Sequence, residues 1–267
     1  MPLAVCATPI GNLEDVTLRG LRALAEAELV LCEDTRHTRR LLERHEIQAR
    51  LLSYHEHNEA KRTAEVLPRL QAGERVVLVS DAGLPAINDP GKRLIAAARK
   101  TDVPVTVLPG PSAVETALVA SGLVSDRYQF LGYLPRGERA LRELGEELAR
   151  WPWSVVAFES PQRLPRALSV LARVFPDRPA AVCRELTKRF EEVVVGTLAE
   201  LASRFSEPPK GEVTIVFGPA AVSASNEGAA ADAVAELVAA GTPRRAAADV
   251  VARLTGVARN RLYRSSL

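Results

Sequence analysis

The chain has 267 residues, of which 47% are hydrophobic and 25% are charged, and its formal net charge is +2. This is the composition of an ordinary globular protein, long enough for one large domain or two smaller ones. The near balance of charge excludes a strongly basic, general polyanion-binding protein, so any nucleic-acid surface must come from local clustering of basic residues. The three cysteines lie in apolar runs and form no disulfide framework. With no signal-peptide pattern and no membrane-spanning apolar run, we expect a cytoplasmic protein.

Residues 1–120 alternate five times between a short apolar run and a helical pattern. The apolar runs lie at residues 3–7, 29–32, 51–54, 75–79 and 103–108. Such alternation predicts an α/β domain with a mostly parallel sheet and helices on both faces. In such a sheet the loops that follow the strands meet at the carboxyl edge, so we expect the five loops after these runs to converge.

The loop at residues 80–91, after the fourth apolar run, is the clearest candidate for a ligand loop. Asp89 stands where a helix N-cap belongs, and Pro90 stands where the first helical residue belongs. The eight residues from 81 to 88 are more than a connector needs, which favours a small-molecule site. The alternative interpretation is an elongated strand-to-helix turn that binds no ligand.

The composition changes after Gly122, and residues 121–218 are predicted to form a second α/β domain. Its apolar runs, which imply a mixed sheet, lie at residues 129–133, 154–158, 180–183, 192–195 and 213–217. Capping signals in both domains predict helix starts at three pairs of residues: Ser112 with Glu115, Ser160 with Pro161, and Thr197 with Glu200.

The end of the chain combines a linker pattern with basic helical patterns. Residues 219–228 are rich in Ala, Ser and Gly, which is typical of a flexible linker, and residues 229–267 are predicted to form a small helical domain. From Thr242 to Leu267 there are six arginines against one acidic residue, Asp249. This local excess favours contact with RNA phosphates, and a merely solvated charged face is the alternative.

Several familiar chemical signatures are absent from the sequence. There is no Walker loop and no G-x-G-x-x-G after the first strand, which counts against an NTPase and against an ordinary Rossmann dehydrogenase. There is also no G-x-S-x-G nucleophile elbow and no cysteine–histidine cluster with zinc spacing. His55 and His57 would share a face of an extended segment, but two imidazoles are too few for a metal site. We therefore expect no metal and interpret this loop as a substrate contact, with a solvated loop as the alternative.

Glu33, Asp34 and Arg36 place two carboxylates and a guanidinium at the end of the second apolar run. A carboxylate or a histidine can help to remove a proton from a hydroxyl group, and arginine can bind a phosphate through two N–H groups. The alternative is a plain helix start, since acids favour the first turn and Thr35 could cap it. The position at the predicted ligand edge favours a functional role.

Glu159, Arg184 and Glu185 lie at strand ends of the second predicted domain. Their side chains either face a cleft between the two domains or pair with one another. The sequence leaves both arrangements open.

Taken together, seven loop motifs of this chain resemble one family. They are A-T-P-I-G-N-L-E-D-V-T-L-R at residues 7–19, E-D-T-R-H-T-R at 33–39, S-Y-H-E-H-N-E at 53–59, S-D-A-G at 80–83, L-P-G-P-S-A at 108–113, R-E-L-T-K at 184–188 and P-K-G-E at 209–212. Each motif alone is weak, but seven in this order are specific. The chain resembles the ribosomal RNA small subunit methyltransferase I family, which has the tetrapyrrole-methylase fold. It departs from the family pattern at Leu84, Ala86, Asn88 and Gln162, where the family usually carries Thr, Gly, Ser and His.

The resemblance covers residues 3–217, and the tail resembles the small C-terminal helical domain of the family. It implies S-adenosylmethionine bound in a cleft between two α/β domains. It also implies methyl transfer to the ribose 2′-hydroxyl of a cytidine in the decoding region of small-subunit (16S) ribosomal RNA, by a homodimer without metal or membrane. The alternatives are a methylase of a tetrapyrrole or another small acceptor on the same fold, and an RNA-binding homologue with weakened catalysis.

Two sets of site residues follow from this resemblance and the loop positions. The candidate catalytic residues, which we expect to face the ribose, are Glu33, Asp34, Arg36, His55 and His57. The candidate cofactor-binding residues are Pro9, Gly11, Asn12, Ser80, Asp81, Ala82, Gly83, Leu84, Pro109, Gly110, Ser112, Glu159, Arg184, Glu185, Leu186, Gly211, Glu212 and Val213. Which residue, if any, is the general base is left open by the sequence.

Overall fold

A computed structural model describes residues 2–220 and 224–265 of the chain. The first half forms a five-stranded sheet whose order is β3-β2-β4-β1-β5. Its strands are β1 (Leu3–Cys6), β2 (Leu29–Cys32), β3 (Leu51–Ser53), β4 (Val76–Leu78) and β5 (Val105–Leu108). Every neighbouring pair runs parallel, so the predicted parallel sheet is confirmed.

Five helices belong to this half of the chain, and the first four cover the two faces of the sheet. They are α1 (Leu18–Glu26), α2 (Thr35–Arg44), α3 (Glu59–Gln71), α4 (Lys92–Lys100) and α5 (Ala113–Ala120). Because side chains alternate along a strand, Leu3 and Val5 join one apolar cluster with α3 and α4, while Ala4 and Cys6 join another with α1 and α2. Both faces are therefore buried, which explains the continuous apolar runs of the sequence.

The start of α4 differs from the prediction. The helix begins at Lys92, so Asp89 and Pro90 lie in the preceding loop and do not form its cap. The cap is supplied from α3, where Glu59 Oε1 accepts hydrogen bonds from the backbone N–H groups of Gly91 (2.9 Å) and Arg93 (3.2 Å). A carboxylate from another helix thus satisfies the free N–H groups that a local residue was expected to satisfy.

The second half forms a mixed five-stranded sheet, as predicted, and its strand order is β6-β7-β10-β8-β9. Its strands are β6 (Tyr128–Tyr133), β7 (Ser154–Glu159), β8 (Pro179–Arg184), β9 (Glu192–Thr197) and β10 (Val213–Phe217). Only the β6–β7 pair is parallel, and the other three pairs are antiparallel.

One face of the second sheet packs against three helices, α6 (Glu138–Ala149), α7 (Leu164–Ala172) and α8 (Leu198–Arg204). The opposite face packs against α5 and Ile10 of the first half, through Val156, Ala181 and Val216. Helix α5 follows β5 of the first sheet and packs on the second, so it connects the carboxyl edge of the first sheet to the second sheet.

Of the three predicted helix starts, the one at Ser112 is confirmed without its capping box, the one at Ser160 with Pro161 is wrong, and the one at Thr197 with Glu200 is confirmed. The Ser112 hydroxyl donates to the Glu115 carboxylate instead of accepting from the backbone, so no capping box forms there. Helix α7 begins at Leu164, after a turn that contains Pro161, and the proline of its first turn is Pro165. Thr197 with Glu200 does form a capping box at the start of α8. At Ser112, the bond to the Glu115 carboxylate competes with capping of the backbone N–H groups.

The C-terminal part consists of α9 (Ala224–Ala239), α10 (Arg244–Thr255) and α11 (Arg259–Ser265), which share their own small apolar core. The predicted linker at 219–228 is therefore too long, because 224–228 belong to α9. Alanine is the best helix former, and the alanine-rich stretch extends the helix through Gly228. Residues 221–223 of that linker lie outside the described residues. Within the described parts of the chain, no helix is both long and apolar enough to cross a membrane.

Candidate active site

A cleft of about 1170 Å³ separates the carboxyl edge of the first sheet from the second sheet. One wall is built from the loops after β1, β4 and β5, which are the three neighbouring strands at one end of the sheet order. The other wall is built from residues at or beside the ends of β6, β7, β8 and β10. A cleft at the carboxyl ends of parallel strands is the usual place for a ligand in an α/β protein.

The loop after β4 is tied to the loop after β1 by backbone hydrogen bonds. Thr8 and Gly83 exchange two of them, of 2.9 and 3.0 Å, and the Ser80 hydroxyl donates to the Gly83 carbonyl at 3.0 Å. These bonds hold Asp81 and Leu84 in the cleft wall. The candidate ligand loop thus does form a wall of the cleft.

The second part of this loop has an unusual backbone. Ala86 (φ 71°) and Asn88 (φ 65°) both adopt left-handed conformations, followed by Gly91 at φ 137°. Left-handed backbone is uncommon for residues with a β-carbon and tends to occur at functional sites. The family whose motifs this sequence resembles usually carries glycine at the position of Ala86.

We expect Ala86→Gly to raise the free energy of unfolding by about 0.5–1 kcal/mol, because the left-handed strain of alanine exceeds the entropy cost of glycine. Chemical denaturation of both proteins would measure it. The control is Ala96→Gly, at an exposed position inside α4, which should lower the same free energy by about 1 kcal/mol. A loss of stability in both variants would contradict the assignment of strain to Ala86.

The described cleft lining carries six acidic side chains and one basic side chain, that of Lys188. The acidic residues are Asp81, Asp89, Glu115, Glu159, Glu185 and Glu212. Such a lining favours a ligand with positive charge and disfavours a phosphate group inside the cleft.

Asp89 has the most perturbed carboxyl group of this set. Burial, together with the nearby carboxylates of Glu33 and Asp81, raises the pKa of Asp89 to about 6, and the Ser80 hydroxyl only partly offsets this. Burial and the Asp81 carboxylate also raise the pKa of Glu33, which lies behind the same wall. These groups form a connected acidic region at one end of the cleft.

Three other carboxylates of the lining have close hydrogen-bond partners. Lys188 Nζ lies 2.9 Å from Glu185 Oε1 and 2.8 Å from Glu212 Oε2, and the bond from Lys188 lowers the pKa of Glu185. Glu115 is partly buried, which would raise its pKa, but hydrogen bonds from the Ser112 and Tyr128 hydroxyls lower it overall. All three carboxylates therefore already have partners within the wall.

Glu159 is 2% exposed and has one oxygen without a hydrogen bond. Its Oε1 accepts from the Ser160 N–H at 2.7 Å, while Oε2 lies 3.1 Å from Arg163 Nη2. That nitrogen already donates to the carbonyls of Leu134 and Pro135, at 2.7 and 2.8 Å, which uses both of its hydrogens. Burial raises the pKa of Glu159. Because both hydrogens of Arg163 Nη2 are used by the two carbonyls, Arg163 attracts Glu159 Oε2 by its charge and donates no hydrogen bond to it.

Two glycines allow the walls of the cleft to touch. A β-carbon at Gly11, in the loop after β1, would lie 2.6 Å from the carbonyl oxygen of Leu186. A β-carbon at Gly132, in β6, would lie 2.8 Å from Asn88 Oδ1. The cleft is thus bounded by two close contacts between the sheets, each of which needs the absence of a side chain.

The comparisons with known proteins agree with this architecture. A family model for tetrapyrrole (corrin/porphyrin) methylases matches residues 2–202. A protein of Micromonospora olivasterospora named ribosomal RNA small subunit methyltransferase I is 44% identical over 265 residues, covering 98% of this chain and 85% of the relative. A protein of Mesorhizobium japonicum with the same name is also 44% identical, covering 99% of this chain and 91% of the relative. The chain belongs to the ribosomal RNA small subunit methyltransferase I family.

Solved structures place this methyltransferase family within a wider methylase fold. Uroporphyrin-III C-methyltransferase of Thermus thermophilus, complexed with S-adenyl homocysteine, matches with a TM-score of 0.56 at 20% identity, covering 80% of this chain and 96% of that one. A cobalt precorrin-4 methyltransferase matches with a TM-score of 0.61 at 20% identity, covering 81% of this chain and 94% of that one. At this identity the likeness shows the fold, and the predicted tetrapyrrole-methylase fold is confirmed.

Most of the cofactor-binding residues expected for this methyltransferase family line the cleft. They are Asp81, Ala82, Gly83, Leu84, Pro109, Gly110, Ser112, Glu159, Glu185, Leu186, Gly211, Glu212 and Val213. Pro9, Gly11, Asn12, Ser80 and Arg184 lie outside the lining, where they shape or support its loops. Asn12 Oδ1 accepts from the Glu14 N–H at 3.1 Å, for example, and Arg184 pairs with Glu192 at 3.1 Å. Of the three strand-end residues, Glu159 and Glu185 belong to the cleft lining, although the Glu159 side chain is fully buried, and Arg184 does not.

The five candidate catalytic residues lie at the same sheet edge but outside the cleft lining. Their loops follow β2 and β3, which stand at the other end of the strand order. Asp34 is the closest link to the cleft, because its N–H donates to Asp81 Oδ1 at 3.0 Å. The Asp34 carboxylate holds the exposed Arg36 guanidinium at 2.8 Å, and His55 Nε2 lies 3.0 Å from Asn58 Nδ2. His57 is exposed.

Several residues of the lining are not among those predicted from the sequence. Asp89 lies within the candidate loop, but the sequence pattern predicts a helix cap there. Tyr133 and Phe158 form an aromatic wall with ring centroids 5.7 Å apart, and Lys188 pairs with two carboxylates. The signal that could have found Tyr133 and Phe158 is their position at strand ends. Across the described residues, no group of three or more His, Cys, Asp or Glu side chains is arranged to hold a metal ion.

Proposed function

We propose that this chain is an S-adenosylmethionine-dependent methyltransferase that methylates the ribose 2′-hydroxyl of a cytidine in the decoding region of small-subunit ribosomal RNA. The observation that carries this is the 44% identity, over almost the whole chain, to relatives named for methylation of that RNA. The position of the hydroxyl and the identity of the nucleotide rest on the family resemblance of the seven loop motifs.

The cleft residues fit S-adenosylmethionine. A volume of about 1170 Å³ is larger than a small-molecule ligand needs, which leaves room for part of an acceptor. The acid-rich lining suits the positive sulfonium group of this cofactor, and apolar side chains such as Ile10 and Leu84 suit its adenine ring. We assign its binding to the thirteen lining residues named above. When bound, it supplies an electrophilic methyl group.

The acidic lining also directs how RNA can approach. Phosphate groups are disfavoured inside the cleft, so we propose that they stay at its mouth, beside the loops after β2 and β3. There Glu33, Asp34, Arg36, His55 and His57 are proposed to face the ribose and its neighbouring phosphates. The side chain of Arg36 is 88% exposed and is oriented by Asp34, which suits a phosphate contact.

The cleft argues against the tetrapyrrole alternative. Tetrapyrrole precursors carry several carboxylate side chains, which six acidic residues against one lysine would repel.

An RNA-binding homologue without catalysis is tested by the same experiment as the main proposal. The protein is incubated with labelled S-adenosylmethionine and either undermethylated small subunits, naked ribosomal RNA or a tetrapyrrole precursor.

Label at one site of the RNA that resists alkaline cleavage is the expected result, since a 2′-O-methyl group blocks that cleavage. Label in the tetrapyrrole alone would support the second function. RNA binding without label in any acceptor would overturn the methyltransferase proposal.

The basic C-terminal helices are proposed to hold the RNA. Replacing the exposed Arg245, Arg253 and Arg264 together by glutamine should weaken binding to small-subunit RNA and reduce the slope of log affinity against log salt by about 2. The slope becomes smaller because each phosphate contact that is removed no longer releases counterions when the RNA binds. Filter binding at several salt concentrations measures it. Triple replacement of Arg139, Arg142 and Arg166, exposed on α6 and α7, is the control, and an equal effect there would contradict a role specific to the tail.

We also propose a homodimer acting in the cytoplasm, as the family resemblance implies. Edge strand β5 and helix α5 carry the exposed apolar side chains of Val107 and Val119, which supports an interface on that side. Light scattering on the purified protein should give twice the mass of one chain, and a monomer mass at micromolar concentration would contradict the dimer.

A further inference from the structure

Asp89 occupies a position in the cleft that its expected role as a helix cap does not explain. It lines the cleft directly after the left-handed Asn88, and the helix that follows is capped by Glu59 instead. The backbone around it is fixed at both ends, by the strained residues before it and by the bond from Gly91 N–H to Glu59 after it. A strained, anchored loop that presents a carboxylate to a ligand site indicates a functional side chain.

The other acidic residues of the lining either have a hydrogen-bond or ion-pair partner or are fully buried. Glu115 accepts from two hydroxyls, and Glu185 and Glu212 share Lys188. The Glu159 side chain has no exposed surface. Asp81 accepts the N–H of Asp34 at 3.0 Å. Asp89 interacts with the Ser80 hydroxyl, but it is partly exposed and has no ion-pair partner among the described residues, which leaves a carboxylate oxygen able to receive a proton from a ligand.

The charged and titratable groups around Asp89 come from four places in the fold. Glu33 follows β2, Asp81 and Ser80 follow β4, and the Tyr133 phenol ends β6 on the opposite wall. The two carboxylates and burial together raise the pKa of Asp89 to about 6. The pKa of Tyr133 is raised by burial and then by Glu212, Asp89 and Glu159, so Tyr133 stays a neutral phenol at neutral pH. No cation from these elements holds Asp89 in its charged form.

We propose that Asp89 is the proton acceptor for the hydroxyl group that becomes methylated, an assignment that rests on the proposed function. The O–H bond of the hydroxyl breaks and its proton passes to a carboxylate oxygen of Asp89. The electron pair left on the hydroxyl oxygen forms the new bond to the methyl carbon, and the pair of the broken carbon–sulfur bond remains on sulfur. One positive and one negative charge disappear together, so the step leaves a neutral carboxyl group in the cleft. A base with a pKa slightly below the working pH is suited to this transfer.

The test compares the full-length protein with Asp89→Asn and Asp89→Glu, using the RNA substrate under single-turnover conditions from pH 5 to 9. We expect the wild-type rate to rise through an inflection near pH 6, as Asp89 ionises. Asp89→Asn should lose about 10²–10⁴-fold in rate and lose the inflection. Asp89→Glu should keep an inflection and recover part of the rate. Calorimetric affinity for S-adenosylhomocysteine should be unchanged in Asp89→Asn, which separates proton transfer from binding.

Thermal unfolding gives a second readout that does not depend on activity. Because the pKa of Asp89 is higher in the folded than in the unfolded chain, folded-state stability falls as pH rises from the unfolded value through about 6. Asp89→Asn should therefore raise the melting temperature at pH 7.5 and leave it nearly unchanged at pH 4. The control is Asp102→Asn, at an exposed left-handed turn residue, which should alter neither the rate profile nor this pH dependence.

The outcomes separate the two proposals. A wild-type protein that methylates RNA, beside an Asp89→Asn variant with normal rate and a normal inflection, would overturn the role of Asp89 alone. A wild-type protein that methylates no RNA would overturn the proposed function and the role of Asp89 with it. Loss of rate together with loss of cofactor affinity would also overturn proton transfer, because it would indicate a binding role.

Discussion

Gly11→Ala is expected to weaken the binding of S-adenosylhomocysteine by about tenfold or more, although Gly11 does not itself line the cleft. A β-carbon there would lie 2.5 Å from Lys188 Cγ, 2.6 Å from the Leu186 carbonyl oxygen and 2.7 Å from Thr187 Oγ1. The lysine stem can move, but the carbonyl belongs to a loop in which Glu185 and Thr187 already have left-handed backbone. The two walls of the cleft must therefore move apart. Overpacking of this kind costs about 1–3 kcal/mol, and about 1.4 kcal/mol corresponds to a factor of ten in affinity.

Isothermal titration calorimetry on the purified variant measures this effect directly. The matched control is Gly137→Ala, since Gly137 has an ordinary backbone conformation and no described atom lies within 4 Å of the place that a β-carbon would take there. That variant should bind S-adenosylhomocysteine as the wild type does. Normal binding by Gly11→Ala would mean that the contact between the loops after β1 and β8 does not set the width of the cleft.

Arg178→Met is expected to lower the free energy of unfolding by about 2–4 kcal/mol. Arg178 is 5% exposed and donates to the carbonyls of Gly218 (2.7 Å), Leu148 (2.9 Å) and Trp153 (3.1 Å). It thereby joins the end of β10, the end of α6 and the approach to β7. Burial lowers the pKa of Arg178 to about 10, which shows that its charge is costly to keep there. The loss of these three hydrogen bonds outweighs the recovered desolvation energy, although the Leu148 carbonyl keeps the Trp151 N–H as a donor at 3.0 Å.

Urea denaturation followed by circular dichroism measures this loss. Arg173→Met, at an exposed position whose ion pair to Glu138 is 3.6 Å long, is the control and should change stability by less than about 0.5 kcal/mol. Arg178→Lys should also be destabilising, because an ammonium group cannot reach three carbonyls with the geometry of a planar guanidinium. Stability equal to wild type in the methionine variant would show that the network contributes no net energy.

The loop motifs were enough to locate most of the expected cofactor-binding residues, but not to place the candidate catalytic loops. The seven motifs identified the family, and most of the residues they implied for the cofactor do line one cleft. The candidate catalytic loops after β2 and β3 were expected at the same place, because parallel strands share a carboxyl edge. The strand order β3-β2-β4-β1-β5 separates them, since only β4, β1 and β5 border the cleft. Strand order depends on pairing between distant segments, which periodicity does not encode.

The sequence by itself determined the alternation of strands and helices, the parallel and mixed sheets, and the family of the chain. These follow from local patterns of apolar residues, whose period fixes the type of element and the face that is buried. Only the tertiary structure decided that Glu59 caps α4, that Asp89 is thereby left to face the cleft, and that Gly11 and Gly132 are sites of close approach. The physical reason is the same in each case. A polar group takes the best partner within reach, and that partner lies tens of residues away along the chain but a few ångströms away in the fold.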